Sequence, residues 1–208
     1  MAFGKHWEWR GFGEIPEALR SRLESLPLKF SASQELTDEY LWAPGCSVNL
    51  KLRFSDLKFK RLCERAGSLE LWLEDPGENY PFPIGPEVLT RLASDLGVSA
   101  LETPRSPLDR PALLDLLTHA SPAVRLVTVQ KIRWQREWWG SAVRHSPGVT
   151  VEVAQILRPE LTWSVGIEGP ELEGVASALA ALDLEGALRK INYLEALEVW
   201  SGGRTLGA

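Results

Sequence analysis

The sequence has very little cysteine, histidine or methionine, and it has no long apolar run. Of 208 residues, 2 are cysteine, 3 are histidine and 1 is methionine. Cys46 and Cys63 lie in neither a Cys-x-x-Cys motif nor a Cys/His cluster, which argues against a disulfide framework and a zinc site. No stretch is apolar for long enough to form a transmembrane helix. The first residues lack the apolar core of a secretory signal, so we expect a cytoplasmic protein.

A basic excess is also missing. The chain has 23 Lys and Arg against 28 Asp and Glu, a formal net charge of −5. General nucleic-acid binders carry the opposite balance, so we expect no nucleic-acid partner and no membrane partner. A local basic pocket remains compatible with this charge, because net charge is an average. The length, with 44% apolar and 25% charged residues, predicts a single globular domain over residues 1–208.

What the sequence does contain is a series of short alternating segments. Alternation with period two predicts β-strands, and apolar spacing of three and four predicts helices. Strands mostly follow one another directly, which indicates an α+β protein with an antiparallel sheet and helices packed outside. The predicted strands are residues 6–12, 48–54, 57–62, 69–74, 125–135, 149–156 and 162–168. The predicted helices are residues 16–26, 86–96, 111–119, 170–182 and 184–199.

The polar faces of these strands are sorted by charge. Successive side chains of a strand point to opposite faces, so the polar residues of each strand share one face. A sheet with one face in water also alternates in this way, and a solvated face is therefore one interpretation. The other is a site in which basic residues bind a polyanion and carboxylates hold a divalent cation. The basic set is Lys51, Arg53, Lys58, Lys60, Lys131 and Arg133. The mainly acidic set is His6, Glu8, Arg10, Glu70, Glu74, Glu152 and Glu168.

The order of motifs in the first part of the chain resembles a known family. Residues 6–10, His-Trp-Glu-Trp-Arg, are similar to a Glu-x-Glu-x-Lys strand. Residues 37–40, Thr-Asp-Glu-Tyr, precede Leu-Lys-Leu-Arg at 50–53, which is similar to Leu-x-Ile-Arg. A lysine-bearing strand follows at residues 57–60, Leu-Lys-Phe-Lys. This succession resembles the CYTH superfamily, the triphosphate tunnel proteins, which includes class IV adenylyl cyclases, thiamine triphosphatases and bacterial inorganic triphosphatases.

The second part of the chain continues the resemblance. Residues 131–133, Lys-Ile-Arg, are similar to the Lys-x-Arg strand of the family, and residues 151–153 stand where an acidic strand residue is expected. Residues 165–168, Val-Gly-Ile-Glu, resemble its later Glu-x-Glu strand, and residues 190–197 resemble its Ser-Tyr-x-Glu-Leu-Leu ending. The resemblance thus extends along most of the chain, and the order of the motifs rather than any single motif carries it.

The resemblance implies a fold and an activity. The fold is a closed eight-stranded antiparallel β-barrel, a tunnel with hydrophilic walls. The activity is hydrolysis of a small-molecule triphosphate, inorganic tripolyphosphate or an organic triphosphate such as a nucleotide, with Mg²⁺ or Mn²⁺. Glu8 and Arg10 would be catalytic. The expected triphosphate-binding residues are Lys51, Arg53, Lys58, Lys60, Lys131 and Arg133. The expected metal ligands are Glu8, Glu152 and Glu168, with His6, Glu70 and Glu74 as further candidates.

Three residues depart from the pattern of the family. His6 replaces the first glutamate of the amino-terminal motif, and Gly166 replaces one glutamate of the later pair. Two carboxylates that would hold Mg²⁺ are therefore missing, and histidine suits Mn²⁺ better than Mg²⁺. Arg10 replaces a lysine, and arginine stays protonated and cannot act as a base. A catalytically impaired protein that binds polyphosphate or nucleotide is therefore the alternative prediction.

Overall fold

The computed structural model describes residues 4–74, 77, 79–99, 101, 104–140 and 148–207, and a β-barrel occupies its centre. The strands are β1 (Lys5–Gly13), β2 (Gln34–Trp42), β3 (Val48–Arg53), β4 (Asp56–Ala66), β5 (Leu69–Leu73), β6 (Asn79–Pro81), β7 (Arg125–Trp138), β8 (Val149–Arg158), β9 (Thr162–Gly169) and β10 (Arg189–Lys190). The helices are α1 (Glu17–Ser25), α2 (Pro86–Asp95), α3 (Arg110–Ala120), α4 (Leu172–Leu182) and α5 (Tyr193–Ser201).

The barrel closes through hydrogen bonds between its first and last long strands. Pairing runs in the order β1-β5-β4-β3-β2-β7-β8-β9, and β9 pairs again with β1. Every pair is antiparallel, and the short strands β6 and β10 add to β4 and β1. Closure satisfies the strand edges, which would otherwise present unpaired backbone groups. The predicted eight-stranded antiparallel barrel is confirmed. None of the helices in the described part of the chain is long and apolar enough to cross a membrane.

Helices cover the outward-facing apolar side chains on two sides of the barrel. On one side, α1 and α4 pack over a cluster that includes the fully buried Trp9, with Trp7 and Trp163 against it. On the opposite side, α2 and α3 cover the outward-facing side chains of β3 and β4, such as Leu50 and Phe59. Burial of these faces supplies the main stabilisation and fixes which face of each strand points inward.

The last helix lies differently from the other four. Tyr193 and Trp200 of α5 pack against Phe12 and Tyr40, which point into the barrel. Further inward-facing apolar residues of β7 and β8 join this cluster. The helix therefore closes one end of the barrel, because it inserts its apolar face into the interior rather than covering the outside.

One predicted element was wrong. The continuous helix at 184–199 is interrupted, because residues 189–190 form β10 against Gly11 and Phe12. α5 begins after Asn192, whose side chain and that of Glu195 form a capping box. Apolar spacing cannot detect this pairing with a distant strand.

The strand β2 was not predicted at all. Its outward face carries Glu35, Thr37 and Glu39, and its inward face carries Asp38, so neither face is uniformly apolar. Pairing with β3 and β7 holds it in the sheet.

Candidate functional site

The barrel interior between α5 and the opposite end is lined by charged side chains, and we call this space the tunnel. Strand register places the predicted basic and acidic sets, apart from Glu74, on the inward face. Many of these charges are shielded from solvent: Glu8 is 4% exposed, Arg10 6% and Lys131 4%. A solvated polar face is therefore excluded. Enclosed charges are stable only when they are paired or bound to a ligand, so the pairing of each one is informative.

Glu8 of β1 is engaged through both carboxylate oxygens. Its Oε1 accepts a hydrogen bond of 2.8 Å from Arg10 Nε, and its Oε2 accepts one from Lys60 Nζ. Burial by itself would raise the pKa of Glu8, but the charges of Lys60 and Arg10 outweigh it and hold the pKa well below its usual range. Burial likewise opposes the charge of Lys60, and Glu8, Glu168 and Glu74 raise the pKa of Lys60 instead.

Glu152 of β8 joins the charges of three strands. Its Oε1 accepts a hydrogen bond of 3.1 Å from Arg10 Nη1, and its Oε2 accepts one of 3.2 Å from Arg133 Nη1. Lys131 Nζ lies 3.8 Å from Oε1. Burial would raise the pKa of Glu152, but Lys131, Arg10 and Arg133 together lower it strongly. Glu152 is therefore an internal counter-charge for cations that were predicted to bind phosphate.

Gly166 occupies a position at which the resemblance led us to expect a glutamate. The neighbouring side chain of Arg10 explains why position 166 has no side chain. A Cβ atom on Gly166 would lie 2.6 Å from Nη2 of Arg10. The guanidinium of Arg10 also donates to Ser164 Oγ at 3.0 Å. Arginine at position 10 and glycine at position 166 are thus sterically matched.

Replacing Gly166 with alanine should therefore destabilise the protein by about 1–3 kcal/mol, because Arg10 cannot move without losing buried ion pairs. Thermal and urea unfolding would measure the effect. The matched control is Gly186→Ala, since a Cβ atom there meets nothing within 4 Å. Equal stability of the two variants would contradict this explanation.

Asp38 is a site residue that the predicted set of site residues omits. It is fully buried and accepts two hydrogen bonds from Arg53, 2.5 Å from Nε to Oδ1 and 2.6 Å from Nη2 to Oδ2. Burial would raise its pKa, but the bond to Arg53 and the charges of Lys51 and Lys131 lower it. The signal available in the sequence was the Thr-Asp-Glu-Tyr stretch, which could not be placed on a face without recognising β2.

Tyr193 forms the floor of the tunnel, a position that the sequence did not indicate. Its ring stacks on Tyr40 with centroids 5.5 Å apart, and the guanidinium of Arg10 lies 5.0 Å from the ring centroid. Its hydroxyl accepts a hydrogen bond of 3.2 Å from Lys131 Nζ. α5 therefore contributes directly to the position of two tunnel cations.

Lys51 and Lys58 differ from the other tunnel cations, because neither forms a hydrogen bond or ion pair with any residue that the structure describes. They are directly opposite each other in the β3–β4 register, where like charges repel. Burial, reinforced by Arg53 and Lys131, lowers the pKa of Lys51 to about 7. Neither side chain is therefore paired directly with a carboxylate of the described residues, although the charges of Asp38 and Glu74 act on Lys51 from a greater distance.

A further cation comes from the connection between α1 and β2. Lys29 Nζ donates a hydrogen bond of 2.8 Å to Thr150 Oγ1, an inward-facing residue adjacent in register to Glu168. Glu168 pairs with Glu8, which lies farther from α5 than Phe12 of the same strand does, so the Lys29 ammonium lies toward the end of the tunnel opposite α5. It belongs to no regular strand, and strand alternation could not identify it.

One group of side chains in the described residues has the geometry to hold a metal ion. The ligand atoms of His6, Glu8 and Glu168 lie within 4.8 Å of one another. His6 Nε2 is buried without a hydrogen-bond partner and lies 3.8 Å from Glu8 Oε2. An imidazole with two carboxylates suits Mn²⁺ better than Mg²⁺. These residues fit a divalent cation.

The other predicted metal ligands do not join this group. Glu152 is engaged by arginines as described. Glu70 Oε1 accepts a hydrogen bond of 2.7 Å from Lys190 Nζ and one of 2.8 Å from Asn192 Nδ2. Glu70 therefore anchors β10 and the start of α5. Glu74 follows β5, and its charge acts on Lys51 and Lys60.

A cavity of about 390 Å³ lies outside the barrel, between α1 and the outer wall. Its lining includes Arg20 and the stacked rings of Trp134 and Trp163. None of the predicted site residues lines it, so it is separate from the tunnel.

Comparison with known proteins gives structural neighbours only. No protein-family model matches the sequence, and no curated protein sequence matches it significantly. A conserved hypothetical protein from Pyrococcus furiosus is similar at 18% identity and a TM-score of 0.48, over 91% of this chain and 98% of that one. The PH1819 protein from Pyrococcus horikoshii is similar at 15% identity and a TM-score of 0.43, over 93% and 98%. A protein from Bacillus halodurans named as a putative adenylate cyclase is similar at 11% identity and a TM-score of 0.40, over 91% and 95%. At these values the likenesses assign neither a family nor an activity.

Proposed function

We propose that the tunnel binds the triphosphate group of a small molecule, either inorganic tripolyphosphate or an organic triphosphate, and hydrolyses it with a divalent metal ion. The observation that supports this proposal best is the pair Lys51 and Lys58, two directly opposed lysines that form no hydrogen bond or ion pair with the described residues. An anion between them would remove their repulsion and satisfy both. Sequence resemblance to the CYTH superfamily supports the same proposal.

The surrounding cations favour a chain of phosphates over a single phosphate. Arg53 is held by Asp38, and Arg133 by Gln34 and Glu152, but each guanidinium keeps further N–H donors that could contact phosphate oxygens, and Lys131 supplies a point charge. They stand on β3 and β7, on both sides of β2. A multiply charged linear anion would contact these walls together, whereas one phosphate group could satisfy only part of them.

Hydrolysis would need a metal ion together with fixed charges in the wall. A bound divalent cation would polarise a phosphoryl oxygen and lower the pKa of a water molecule. His6, Glu8 and Glu168 would hold it, as their spacing allows. Arg10 would stabilise negative charge on the phosphates. It cannot accept a proton from water, because Glu8 and Glu152 outweigh its burial and raise its pKa well above the ordinary value.

Binding without efficient hydrolysis is the second candidate, and the bonds of Glu8 favour it. Both carboxylate oxygens of Glu8 already accept hydrogen bonds from cationic side chains. A metal ion would therefore compete with these bonds for Glu8, but not for Glu168 or His6. Phosphate release measured with Mn²⁺ and with Mg²⁺ separates the two candidates. Tight tripolyphosphate binding without release of phosphate would favour the binding protein.

The test of binding is calorimetry with tripolyphosphate on the purified full chain. Replacing both Lys51 and Lys58 with methionine should weaken binding about 100-fold, or roughly tenfold for each lost contact. Neither substitution leaves a buried carboxylate unpaired, so the variant should fold. Arg22→Ala, on the exposed surface of α1, is the matched control and should bind like the wild type. Absence of binding in the wild type, or equal affinity in the double variant, would refute the proposal.

A further inference from the structure

We propose that the Glu8–Lys60 ion pair is a switch that couples the two ligands of the tunnel. A divalent cation bound by His6, Glu8 and Glu168 takes Glu8 away from Lys60 and releases the Lys60 ammonium to the polyphosphate. This inference rests on the proposed function and adds to it a mechanism of regulation at the same site.

The two carboxylate oxygens of Glu8 have different neighbours, and the proposed switch is based on this difference. Oε1 is held by Arg10 Nε at 2.8 Å. Oε2 accepts from Lys60 Nζ and also lies 3.8 Å from the unpartnered Nε2 of His6. The oxygen that faces His6 is therefore the one that Lys60 occupies. A divalent cation between His6 and Glu8 would meet the Lys60 ammonium at that oxygen, and the two positive charges would repel each other.

Lys60 has an alternative position once it leaves Glu8. It shares the inward face of β4 with Lys58, and Lys58 faces Lys51 across the pairing with β3. The Lys60 ammonium lies 5.3 Å from the ring centroid of the buried Trp72, on a flexible four-carbon stem that can turn along this wall. Released, it would join the two lysines that form no direct ion pair with the described residues.

The coupling follows from charge balance and is reciprocal. Without a cation, Glu8 neutralises Lys60, and the tunnel offers an anion mainly Lys51 and Lys58. With a cation, Lys60 is added to them. An anion that draws Lys60 away from Glu8 must equally raise the affinity for the cation, because a coupling free energy acts in both directions.

One matched pair of variants tests the anion side. Glu8→Gln and Glu168→Gln each remove one carboxylate from the same cation site, but only Glu8 accepts a bond from Lys60. With EDTA present, tripolyphosphate affinity measured by calorimetry should rise about tenfold in Glu8→Gln and less than about threefold in Glu168→Gln.

A second pair tests the cation side without any phosphate. Lys60→Met and Lys58→Met each remove one positive charge from the inward face of β4, but only Lys60 holds Glu8. Mn²⁺ affinity, measured from the electron paramagnetic resonance signal of the free ion, should rise about tenfold in Lys60→Met and less than about threefold in Lys58→Met. This pair keeps Glu8 bonded to Arg10, so it remains informative if Glu8→Gln fails to fold.

Equal effects within both pairs would show that only the summed charge matters, and would overturn the switch. Failure of the proposed function gives a different result, namely a wild-type protein that binds tripolyphosphate neither with nor without Mn²⁺.

Discussion

Replacing Glu152 with glutamine should lower the free energy of unfolding by about 3–5 kcal/mol at pH 7, since it leaves enclosed cations without their counter-charge. Glu152 bonds Arg10 and Arg133 and lies close to Lys131. Urea unfolding at pH 7 would measure the loss. Glu168→Gln is the matched control, because Glu168 accepts no side-chain hydrogen bond from the residues that the structure describes, and it should cost less than about 1 kcal/mol.

Tripolyphosphate should restore much of the stability lost in Glu152→Gln, because a bound polyanion supplies the missing negative charge and stabilises the folded state by mass action. The thermal midpoint with and without the anion would show this. A small loss of stability, equal to that of Glu168→Gln, would mean that the Glu152 ion pairs contribute little and would contradict the prediction.

The same variant has a defined pH dependence. Glu8, Asp38 and Glu152 all have a lowered pKa in the folded protein. Below about pH 5 the unfolded chain therefore binds more protons than the folded one, and stability falls as the pH falls. Glu152→Gln should show a shallower loss over the same range, because one of the groups with a lowered pKa is gone.

Tripolyphosphate affinity should fall as the pH rises above about 7, through the titration of Lys51. Burial, with Arg53 and Lys131 nearby, lowers the pKa of Lys51 to about 7, so its amine is mostly neutral at pH 8. An anion favours the ammonium form, and binding must take up a proton in this range. The affinity is highest at pH values below 7, where Lys51 is protonated. Above pH 7 it decreases by up to about tenfold per pH unit, because binding is coupled to the uptake of one proton. Calorimetry in buffers of different ionisation enthalpy measures the proton uptake.

Lys51→Arg separates this effect from the titration of the ligand. Arginine stays charged, so the variant should bind without taking up a proton at pH 8, and its affinity should vary only as the tripolyphosphate itself titrates. Lys51→Met should bind more weakly than the wild type at pH 6, and its affinity should depend on pH in the same way as that of Lys51→Arg. Equal proton uptake in wild type and Lys51→Arg would assign the pH dependence to another group.

The inward and outward faces of the tunnel strands could be predicted because they depend on local geometry. Period-two alternation assigned Glu8, Arg10, Lys60 and Arg133 to one face each, and the structure has them all inside the barrel. The apolar residues on the opposite faces, such as Trp9, are buried beneath helices. The roles of these residues in binding or catalysis stay predictions.

Features that depend on contacts between distant segments could not be predicted. Asp38 was missed because β2 has no apolar face and is held in the sheet by its neighbours. The match between Gly166 and Arg10, and the floor formed by Tyr193, both arise where segments far apart in sequence meet. The expectation of phosphate-binding cations did not reveal that internal carboxylates already pair with most of them.

The sequence by itself determined which side chains share a face, since the alternation of a strand follows from backbone geometry alone. It also determined that those faces carry opposite charges on different strands. Only the tertiary structure decided which charges meet, because ion pairs such as Glu8 with Lys60 join residues from strands that do not neighbour each other in the sheet. Pairing depends on barrel closure and on distances of a few ångströms, and no local pattern encodes either.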